Sequence, residues 1–189
     1  SGSEGWVKRF GSQPVSQFHG AQMIADKWNI SRLEMEQFSL ESHRRARAAI
    51  AEGRFKKEIL VTNGLEHDET TRDSTLEQMQ KLEVLAPGGS ITAGVSSQTG
   101  DAAAAMLIVS EAALKKYGLK ARARIHHMSV YADDPIFMLT APIPATRYAM
   151  KKAGMKLEDI DLVEINEAFA PVVLAWLKET GYPHSKTNV

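Results

Sequence analysis

Apolar residues in the first part of the chain follow helical spacing. They fall at positions 33, 38, 40, 46, 49 and 50, and this pattern favours a helix with one buried face. Ser31 and Glu34 form a capping box, so we predict that the helix begins at Arg32 and that Gly53 ends it. A shorter helix is predicted before it, over 20–28.

The pattern between residue 54 and the middle of the chain is less regular. Residues 56–62 predict a short strand or an extended run, and the stretch 63–72, rich in His, Asp, Glu and Thr, predicts a surface loop. A short helix is predicted over 74–85, with Asp73 or Ser74 as its cap. The Pro-Gly-Gly sequence that follows is a break.

Beyond this break the hydrophobic pattern changes. Residues 102–110 are small and apolar without polar alternation, which is typical of a strand buried on both faces. Alternating strands and helices in this region indicate an α/β fold with helices packed on a sheet. Further strands are predicted at 121–131 and 161–165, and helices at 111–117, 144–153 and 168–180, each helix followed directly by Gly.

Two regions follow from the change of pattern. We expect residues 1–89 to form a helix-rich lobe and residues 90–189 to form part of an α/β core, with the boundary in the break at 87–90. A length of 189 residues is enough for one ample domain or two small ones.

The charge balance narrows the classes of partner. Lys and Arg total 23, Asp and Glu total 23, and the formal net charge is +0, so no overall basic field is present to hold nucleic acid or an anionic membrane. The N-terminus has no signal pattern, and the longest apolar run, 102–109, is too short to span a membrane. We expect a soluble cytoplasmic protein with no nucleic-acid or membrane partner.

The chain contains no Cys and six His. Zero Cys excludes disulfides, Cys-ligated zinc, iron–sulfur clusters and a thiol nucleophile within these residues. The His residues lack metal-ligand spacing, so we expect no metal site. We expect His43 to be solvated on an Arg-rich helix face, and His67, His184 and the pair at 126–127 to have no ligand role. His19 alone is expected near a substrate.

The sequence Asn-Glu-Ala-Phe-Ala at 166–170, directly after the predicted strand 161–165, carries the strongest functional signal. Ligands of open α/β sheets bind at the carboxyl ends of strands. There the Asn166 amide can hold a water or an oxyanion, together with N–H groups of the next helix. Two structural alternatives stay open: Asn166 as a corner residue, and Glu167 as a first-turn helix acid.

This motif and its surroundings resemble the thiolase family, the CoA-dependent acyltransferases that make or split 3-oxoacyl-CoA. The resemblance covers essentially all 189 residues and implies a partial thiolase fold: a helix-rich loop domain over 1–89, then part of the core βαβ layers over 90–189, from the end of the first repeat to the start of the second. The similar segments run in the family's order at 21–32, 72–82 (Arg-x-x-Thr-Leu-Glu), 91–101 (with Thr-Ala-Gly at 92–94) and 142–145 (Pro-Ile-Pro-Ala).

The resemblance also implies roles for single residues. Asn166 would hold the catalytic water of an oxyanion hole for the thioester carbonyl, and Glu167 would orient its neighbours. Phe169 would line the channel against the pantetheine of coenzyme A. Further contacts to the pantetheine would come from Ser97, Ala93 and Gly94, and a contact to the adenine end from Arg72. The Arg residues at 44, 45 and 47 are expected on a solvated helix face, with attraction of CoA phosphates as the alternative.

Departures from the family's pattern concern the acyl pocket. Leu139 and Ala141 replace the two Gly of the family's Met-Gly-x-Gly-Pro, which begins here at Met138, and Val95 replaces an Asn. The run Ser-Gln-Phe-His-Gly, which contains His19, resembles actinobacterial thiolases associated with bulky acyl or steroid side-chain substrates. His19 and Met138 therefore join the candidate acyl-CoA-binding residues.

The family's reaction needs groups that these residues do not contain. The resemblance implies a nucleophilic Cys before the segment that matches Ser1, a base His in a Gly-His-Pro motif soon after the segment that matches 187–189, and a second Cys beyond it. We therefore expect the middle portion of a thiolase, inactive by itself.

Three hypotheses stay open. The first is part of a thiolase of lipid metabolism and fatty acid β-oxidation, a homodimer or homotetramer when complete, with CoA or acyl-CoA as substrate and no covalently bound cofactor. The second is a non-catalytic thiolase-like protein that binds CoA esters or a partner subunit. The third is an α/β scaffold that has kept the motifs but not the site.

Overall fold

Three helices form the centre of the structure, a computed structural model that describes residues 2–189. They are α2 (Gln17–Lys27), α3 (Arg32–Ala51) and α7 (Ala170–Thr180). The other helices are α1 (Glu4–Phe10), α4 (Leu76–Gln80), α5 (Glu111–Lys116) and α6 (Pro142–Ala153). Helix α7 packs against α2, α3 and α6. The core between them is apolar, and its most deeply buried side chains include Ile24, Met35, Val173 and Trp176.

Local sequence signals explain where the central helices begin and end. The predicted capping box is confirmed, because Ser31 Oγ accepts from the N–H of Glu34 at 3.2 Å and the Glu34 carboxylate accepts from the N–H of Ser31 at 2.7 Å. Gly53 follows the end of α3 with φ +68°, a left-handed conformation that Gly adopts without strain. These signals lie within a few residues of one another, so the chain alone encodes them.

Helix α4 is shorter than the predicted 74–85, and its predicted caps are wrong. Thr75, rather than Asp73 or Ser74, is the N-cap: its hydroxyl accepts from the N–H of Gln78, whose side chain accepts in return from the N–H of Thr75. This reciprocal box sets the start two residues later than the pattern indicated.

The strands predicted at 102–110 and 121–131 are wrong for this structure. Both segments lack regular structure and expose apolar side chains, with Met106 85 % and Val130 97 % exposed. A strand needs a neighbour for its backbone N–H and C=O groups, and residues 2–189 supply none beside these segments. The run 56–62, predicted as a short strand or an extended run, is not a strand: it is turn at 56–58 and irregular at 59–61, and Thr62 forms a single bridge with Leu65.

The predicted strand 161–165 is present only as a short parallel pairing. Val163 donates its N–H to the carbonyl of Lys186 at 3.0 Å, and its own carbonyl accepts from the N–H of Asn188 at 2.9 Å. A second, antiparallel bridge joins Ser96 to Phe169. These two pairings bring two distant segments, those of Ser96 and Thr187, to the residues that precede α7.

The predicted boundary at 87–90 lies in a turn. Val84 bridges to Thr92, the N–H of Leu85 donates to the carbonyl of Ile91 at 2.8 Å, and Gly88 has φ +75°. Helix α7, from the second region, packs on α2 and α3 from the first. The division into 1–89 and 90–189 stays a prediction.

Within residues 2–189, no helix is both long and apolar enough to cross a membrane.

Candidate functional site

Asn166 and Glu167 lie between the Val163 pairing and the start of α7. The helix begins at Ala170, with Phe169 as an N-cap in extended conformation. Glu167 therefore lies three residues before the helix, and the alternative of a first-turn acid is wrong. Asn166 is exposed, so its amide is accessible to a ligand.

The Glu167 carboxylate is held at both oxygens. Ser42 Oγ, on α3, donates to Oε2 at 2.6 Å, and Asn188 Nδ2 donates to Oε1 at 2.8 Å. Because each oxygen has its own donor, the side chain is kept in one orientation. The carboxylate can in turn fix the backbone that carries Asn166.

Asn188 forms a two-way link to the strand segment before the motif. Its Nδ2 donates to the carbonyl of Ile165 at 2.9 Å, and its Oδ1 accepts from the N–H of Ile165 at 2.9 Å. These partners define which end of the amide is oxygen and which is nitrogen. The backbone of Asn188 is left-handed, with φ +52°, a conformation that Asn tolerates better than most residues.

The guanidinium of Arg45, on α3, binds the backbone of the turn that contains Asn188. Its Nη1 donates to the carbonyls of Thr187 at 2.7 Å and Asn188 at 3.0 Å, and its Nε donates to Glu41 at 2.8 Å. The expectation of a solvated Arg face is therefore wrong for Arg45, which is half-buried. Arg44 and Arg47 are exposed, as expected.

Glu41 lies between two guanidiniums. Hydrogen bonds from Arg44, and then from Arg45, lower its pKa from the ordinary 4.5 to about 2. The carboxylate therefore stays ionised in all but strongly acidic solution.

Two predicted pantetheine contacts, Ser97 and Phe169, lie together. The N–H of Ser97 donates to the carbonyl of Ala168 at 3.0 Å, within the bridge that joins Ser96 to Phe169. The Phe169 ring is buried and meets the half-exposed Phe18 edge-on, with 5.5 Å between ring centroids. The exposed Ser97 thus lies beside an aromatic pair, a surface of the kind that an extended apolar arm can follow.

Ala93 and Gly94 form a short 3₁₀ turn, Ala93–Val95, before Ser97. Ala93 is exposed. A Cβ atom on Gly94 would lie 2.7 Å from Leu82 Cδ1 and 2.8 Å from the Met79 thioether. Close packing against α4 therefore accounts for the Gly without any ligand.

His19 and Met138 belong to segments that touch. A Cβ atom on Gly20, next to the half-buried His19, would lie 2.5 Å from the carbonyl oxygen of Phe137. Met138 follows with φ +61° and 39 % exposure. A left-handed Met is strained, and such strain is more common at binding sites than elsewhere.

Arg72 lies on the outer side of α3. Its N–H donates to Nδ1 of His43 at 3.3 Å, and its guanidinium donates to the carbonyl of Glu69 at 2.8 Å. With Arg44 and Arg47 it lines a cavity of about 340 Å³. Arg47 pairs with Asp73 at the same cavity.

The expectation that His43 is solvated is wrong. Burial lowers the pKa of His43, and Arg72 lowers it further, while Glu167 and Asp68 oppose the shift. A neutral His43 fits the hydrogen bond that Nδ1 accepts from Arg72.

His184 has a packing role. Its ring stacks on Phe38 with 5.2 Å between centroids, and burial, followed by Arg45, lowers its pKa. Both His of the pair at 126–127 are exposed. No group of three or more His, Asp or Glu in the described part of the chain is arranged to hold a metal ion.

Three residues of this site were not predicted: Ser42, Arg45 and Asn188. The helical pattern places Ser42 and Arg45 on one face of α3 because they are three positions apart. Ser42 contacts Glu167, 125 positions away, and Arg45 contacts Asn188, 143 positions away. No spacing rule links such distant residues.

Comparison with known proteins covers both halves of the chain. The family model described as "Thiolase, N-terminal domain" matches residues 14–112, and the one described as "Thiolase, C-terminal domain" matches residues 119–189. The chain is 54 % identical to the steroid 3-ketoacyl-CoA thiolase FadA6 of Mycobacterium tuberculosis, over 98 % of this chain and 47 % of that protein. It is 44 % identical to a 3-ketoacyl-CoA thiolase of Vibrio parahaemolyticus, over 85 % of this chain and 44 % of that protein.

Solved structures give matching results. An acetyl-CoA acetyltransferase of Bacillus anthracis is similar with a TM-score of 0.86 and 35 % identity, over 92 % of this chain and 47 % of that one. The human mitochondrial 3-ketoacyl-CoA thiolase in complex with CoA is similar with a TM-score of 0.81 and 39 % identity, over 90 % of this chain and 45 % of that one. The chain spans about half the length of the curated relatives it matches.

Proposed function

The chain belongs to the thiolase family and has part of its α/β fold, and on that premise we propose that it supplies the CoA-binding and oxyanion elements of an acyltransferase acting on 3-oxoacyl-CoA. The observation that carries the proposal is the exposed Asn166 next to a Glu167 carboxylate held at both oxygens. A fixed neighbour and an accessible amide are what a preorganised oxyanion site requires.

The proposed role of Asn166 follows from the charge that the reaction creates. Making or breaking the carbon–carbon bond beside a thioester places negative charge on the thioester oxygen. An amide N–H, or a water held by that amide, stabilises this charge best when it needs no reorganisation. Glu167 would act as a positioning residue, because its carboxylate is already occupied by Ser42 and Asn188.

The proposed pantetheine path runs past Ser97, Ala93 and Gly94 towards Phe169. Support comes from the exposure of Ser97 and Ala93 and from the bridge that brings Ser97 beside the Phe169 ring. The human relative whose structure contains CoA supports CoA as the ligand class. We propose CoA and acyl-CoA as substrates, with no cofactor bound covalently.

Arg72 is proposed at the adenine and phosphate end. Among the described residues its guanidinium donates only to the backbone carbonyls of Glu69 and Thr71. Several of its N–H groups could therefore bind a phosphate without first breaking an ion pair. Arg44 and Arg47, at the same cavity, are already paired with Glu41 and Asp73. This difference favours Arg72.

The proposed acyl group is bulky. His19, Met138, Leu139 and Ala141 lie in the two segments that touch at Gly20 and Phe137, and the side chains at 139 and 141 replace glycines of the resembling pattern. The Mycobacterium tuberculosis relative is named a steroid thiolase. A steroid side chain or a similar branched 3-oxoacyl group is therefore the proposed substrate.

Catalysis itself is proposed to need groups outside these 189 residues. The resemblance assigns acyl transfer to a Cys nucleophile and a His base, and the sequence contains no Cys. We propose that the isolated chain binds CoA esters without cleaving them. The same absence favours the second candidate function, a non-catalytic CoA-ester-binding or partner subunit. Assembly of the complete protein as a homodimer or homotetramer, and its cytoplasmic location, stay predictions.

Titration calorimetry of the 189-residue chain with CoA tests the proposal. We expect saturable binding that Arg72→Ala weakens about tenfold, the cost of one charge-assisted contact. The same variant should leave S-acetylpantetheine binding unchanged. Arg54→Ala, which removes another exposed Arg away from the cavity, is the matched control and should change neither affinity. A chain that binds neither ligand contradicts the proposal.

A further inference from the structure

We propose that Arg45 and Asn188 are positioning residues that hold the Asn166–Glu167 segment against α3. The consequence for a ligand rests on the proposed function, whereas the positioning itself rests on contacts within the chain. Neither residue belongs to the Asn-Glu-Ala-Phe-Ala motif at 166–170. The contacts form two steps, one from Asn188 to the motif and one from Arg45 to Asn188.

The first step runs from Asn188 to the motif. Three of the four hydrogen-bonding positions of its side-chain amide are used: both Nδ2 protons are donated, to Ile165 and Glu167, and Oδ1 accepts from Ile165. The side chain therefore constrains the residues on both sides of Asn166. A shift of Asn188 along the chain direction would break all three bonds together.

The second step runs from Arg45 to Asn188. The guanidinium donates to the carbonyls of Thr187 and Asn188, and at 3.4 Å to that of His184. A planar guanidinium meets several carbonyls in a fixed geometry that a Lys ammonium does not reproduce. The ion pair with Glu41 keeps its other edge in place. Arg45 thus holds the left-handed backbone of Asn188.

Two side chains on one face of α3 anchor these contacts. Ser42 holds Glu167 directly, and Arg45, one turn later, holds it through Asn188. The contacts form a closed network: Ser42 binds Glu167, Glu167 binds Asn188, and Asn188 binds Arg45, which lies on the same helix as Ser42. Because each member depends on the others, loss of Arg45 should loosen Glu167 even though the two side chains do not touch.

Hydrogen exchange of the full 189-residue chain, measured by NMR, tests this network. In Arg45→Met we expect the N–H groups of Ile165 and Asn188 to lose about tenfold in protection, while that of Val173 in the α7 core changes by less than about twofold. Arg44→Met is the matched control: it also removes a partner of Glu41, but Arg44 is exposed and does not reach the turn. It should leave all three N–H groups unchanged.

A second variant covers the case in which Arg45→Met lowers the stability of the whole chain. Asn188→Gly keeps a residue that favours φ +52° and removes only the side-chain bonds. We expect the Ile165 N–H to lose about tenfold in protection in this variant also, with Val173 unchanged. Full protection of Ile165 in Asn188→Gly, or in a folded Arg45→Met, overturns the proposal.

Ligand affinity separates positioning from a merely structural role. If Asn166 contacts the thioester carbonyl, the chain should bind acetoacetyl-CoA more tightly than CoA. Arg45→Met should bring that preference to within about twofold while CoA affinity stays the same. A preference that persists in Arg45→Met overturns the role of Arg45. A wild-type chain that binds neither compound overturns the proposed function instead, and the exchange data still decide the positioning.

Discussion

At the scale of single residues, two non-glycine residues near the site have left-handed backbone, Asn188 and Met138. Asn adopts this conformation with little strain, and its side chain explains why it is there, because it bonds Ile165 and Glu167. Met138 is held instead by backbone bonds: its N–H donates to the carbonyl of Asp134 at 3.0 Å, and the N–H of Leu139 donates to the carbonyl of Phe137 at 2.7 Å. The same Phe137 carbonyl lies close to Gly20 of α2.

Gly20 is therefore expected to be intolerant of even one extra carbon. In Gly20→Ala the new Cβ would lie 2.5 Å from the Phe137 carbonyl oxygen, and the backbone cannot move aside as a flexible side chain would. We expect a loss of about 1–3 kcal/mol in the free energy of unfolding, measured in urea. Gly5→Ala, at a helical Gly with nothing within 4 Å, should cost nothing. Equal stabilities of the two variants would contradict the contact.

Glu41 gives a residue-level pH dependence with a defined sign. Its pKa falls from 4.5 in the unfolded chain to about 2 in the folded protein, so the ionised form stabilises the fold above about pH 4.5. That contribution is lost as the pH falls towards 2. Glu41→Gln should therefore be less stable than wild type at pH 7, and the difference should shrink between pH 4.5 and pH 2. A difference that does not change with pH contradicts the pairing with Arg44 and Arg45.

At the scale of elements, α3 determines most of the site. One face of it holds Ser42 and Arg45, and its first turn holds α4 through Arg32. The Arg32 guanidinium pairs with Glu36, which is 1 % exposed, and donates to the carbonyls of Gln80 and Leu82. This places α4 where Met79 packs on Gly94, three residues before Ser97.

Removal of Arg32 should consequently be costly. Arg32→Met leaves the buried Glu36 carboxylate without its cation, and we expect a loss of about 3 kcal/mol. The double variant Arg32→Met/Glu36→Leu should recover most of that loss, because no buried charge is left. Chemical denaturation of the single and double variants measures this. The control Arg54→Met, which breaks an exposed pair with Glu52, should cost less than about 1 kcal/mol. A double variant no more stable than Arg32→Met would contradict the account.

Most of the helices were predictable at this scale and most of the strands were not, for a physical reason; helix α1 was not predicted. The boundaries of α3, α6 and α7 depend on caps and glycines within a few residues, such as Ser31, Gly154 and Gly181. A strand depends on a partner far along the chain. Only 161–165 finds one, at Thr187, and so the apolar pattern of 102–110 and 121–131 predicted strands that this structure does not contain.

At the scale of the whole molecule, the surroundings of the 166–170 motif combine four segments that are distant in sequence: α3, 93–97, 163–169 and 184–188. The motif at 166–170 was recognisable because its residues are contiguous, and Ser97 because it lies in a similar segment. Ser42 was not recognisable, because it contacts Glu167 across more than half of the chain. Asn188 was not recognisable, because a turn after α7 brings it to Glu167. Tertiary structure, rather than spacing, supplies these partners.

Under the proposed function, these 189 residues are a working part of a thiolase. The most direct measurement replaces the matching segment of the 54 %-identical Mycobacterium tuberculosis thiolase with this chain and assays CoA-dependent cleavage of a 3-ketoacyl-CoA. We expect an active chimera in which Asn166→Ala lowers kcat by about 10²–10³ with KM little changed. A chimera that folds and binds CoA but cleaves nothing, or one that Asn166→Ala leaves at full activity, would contradict it.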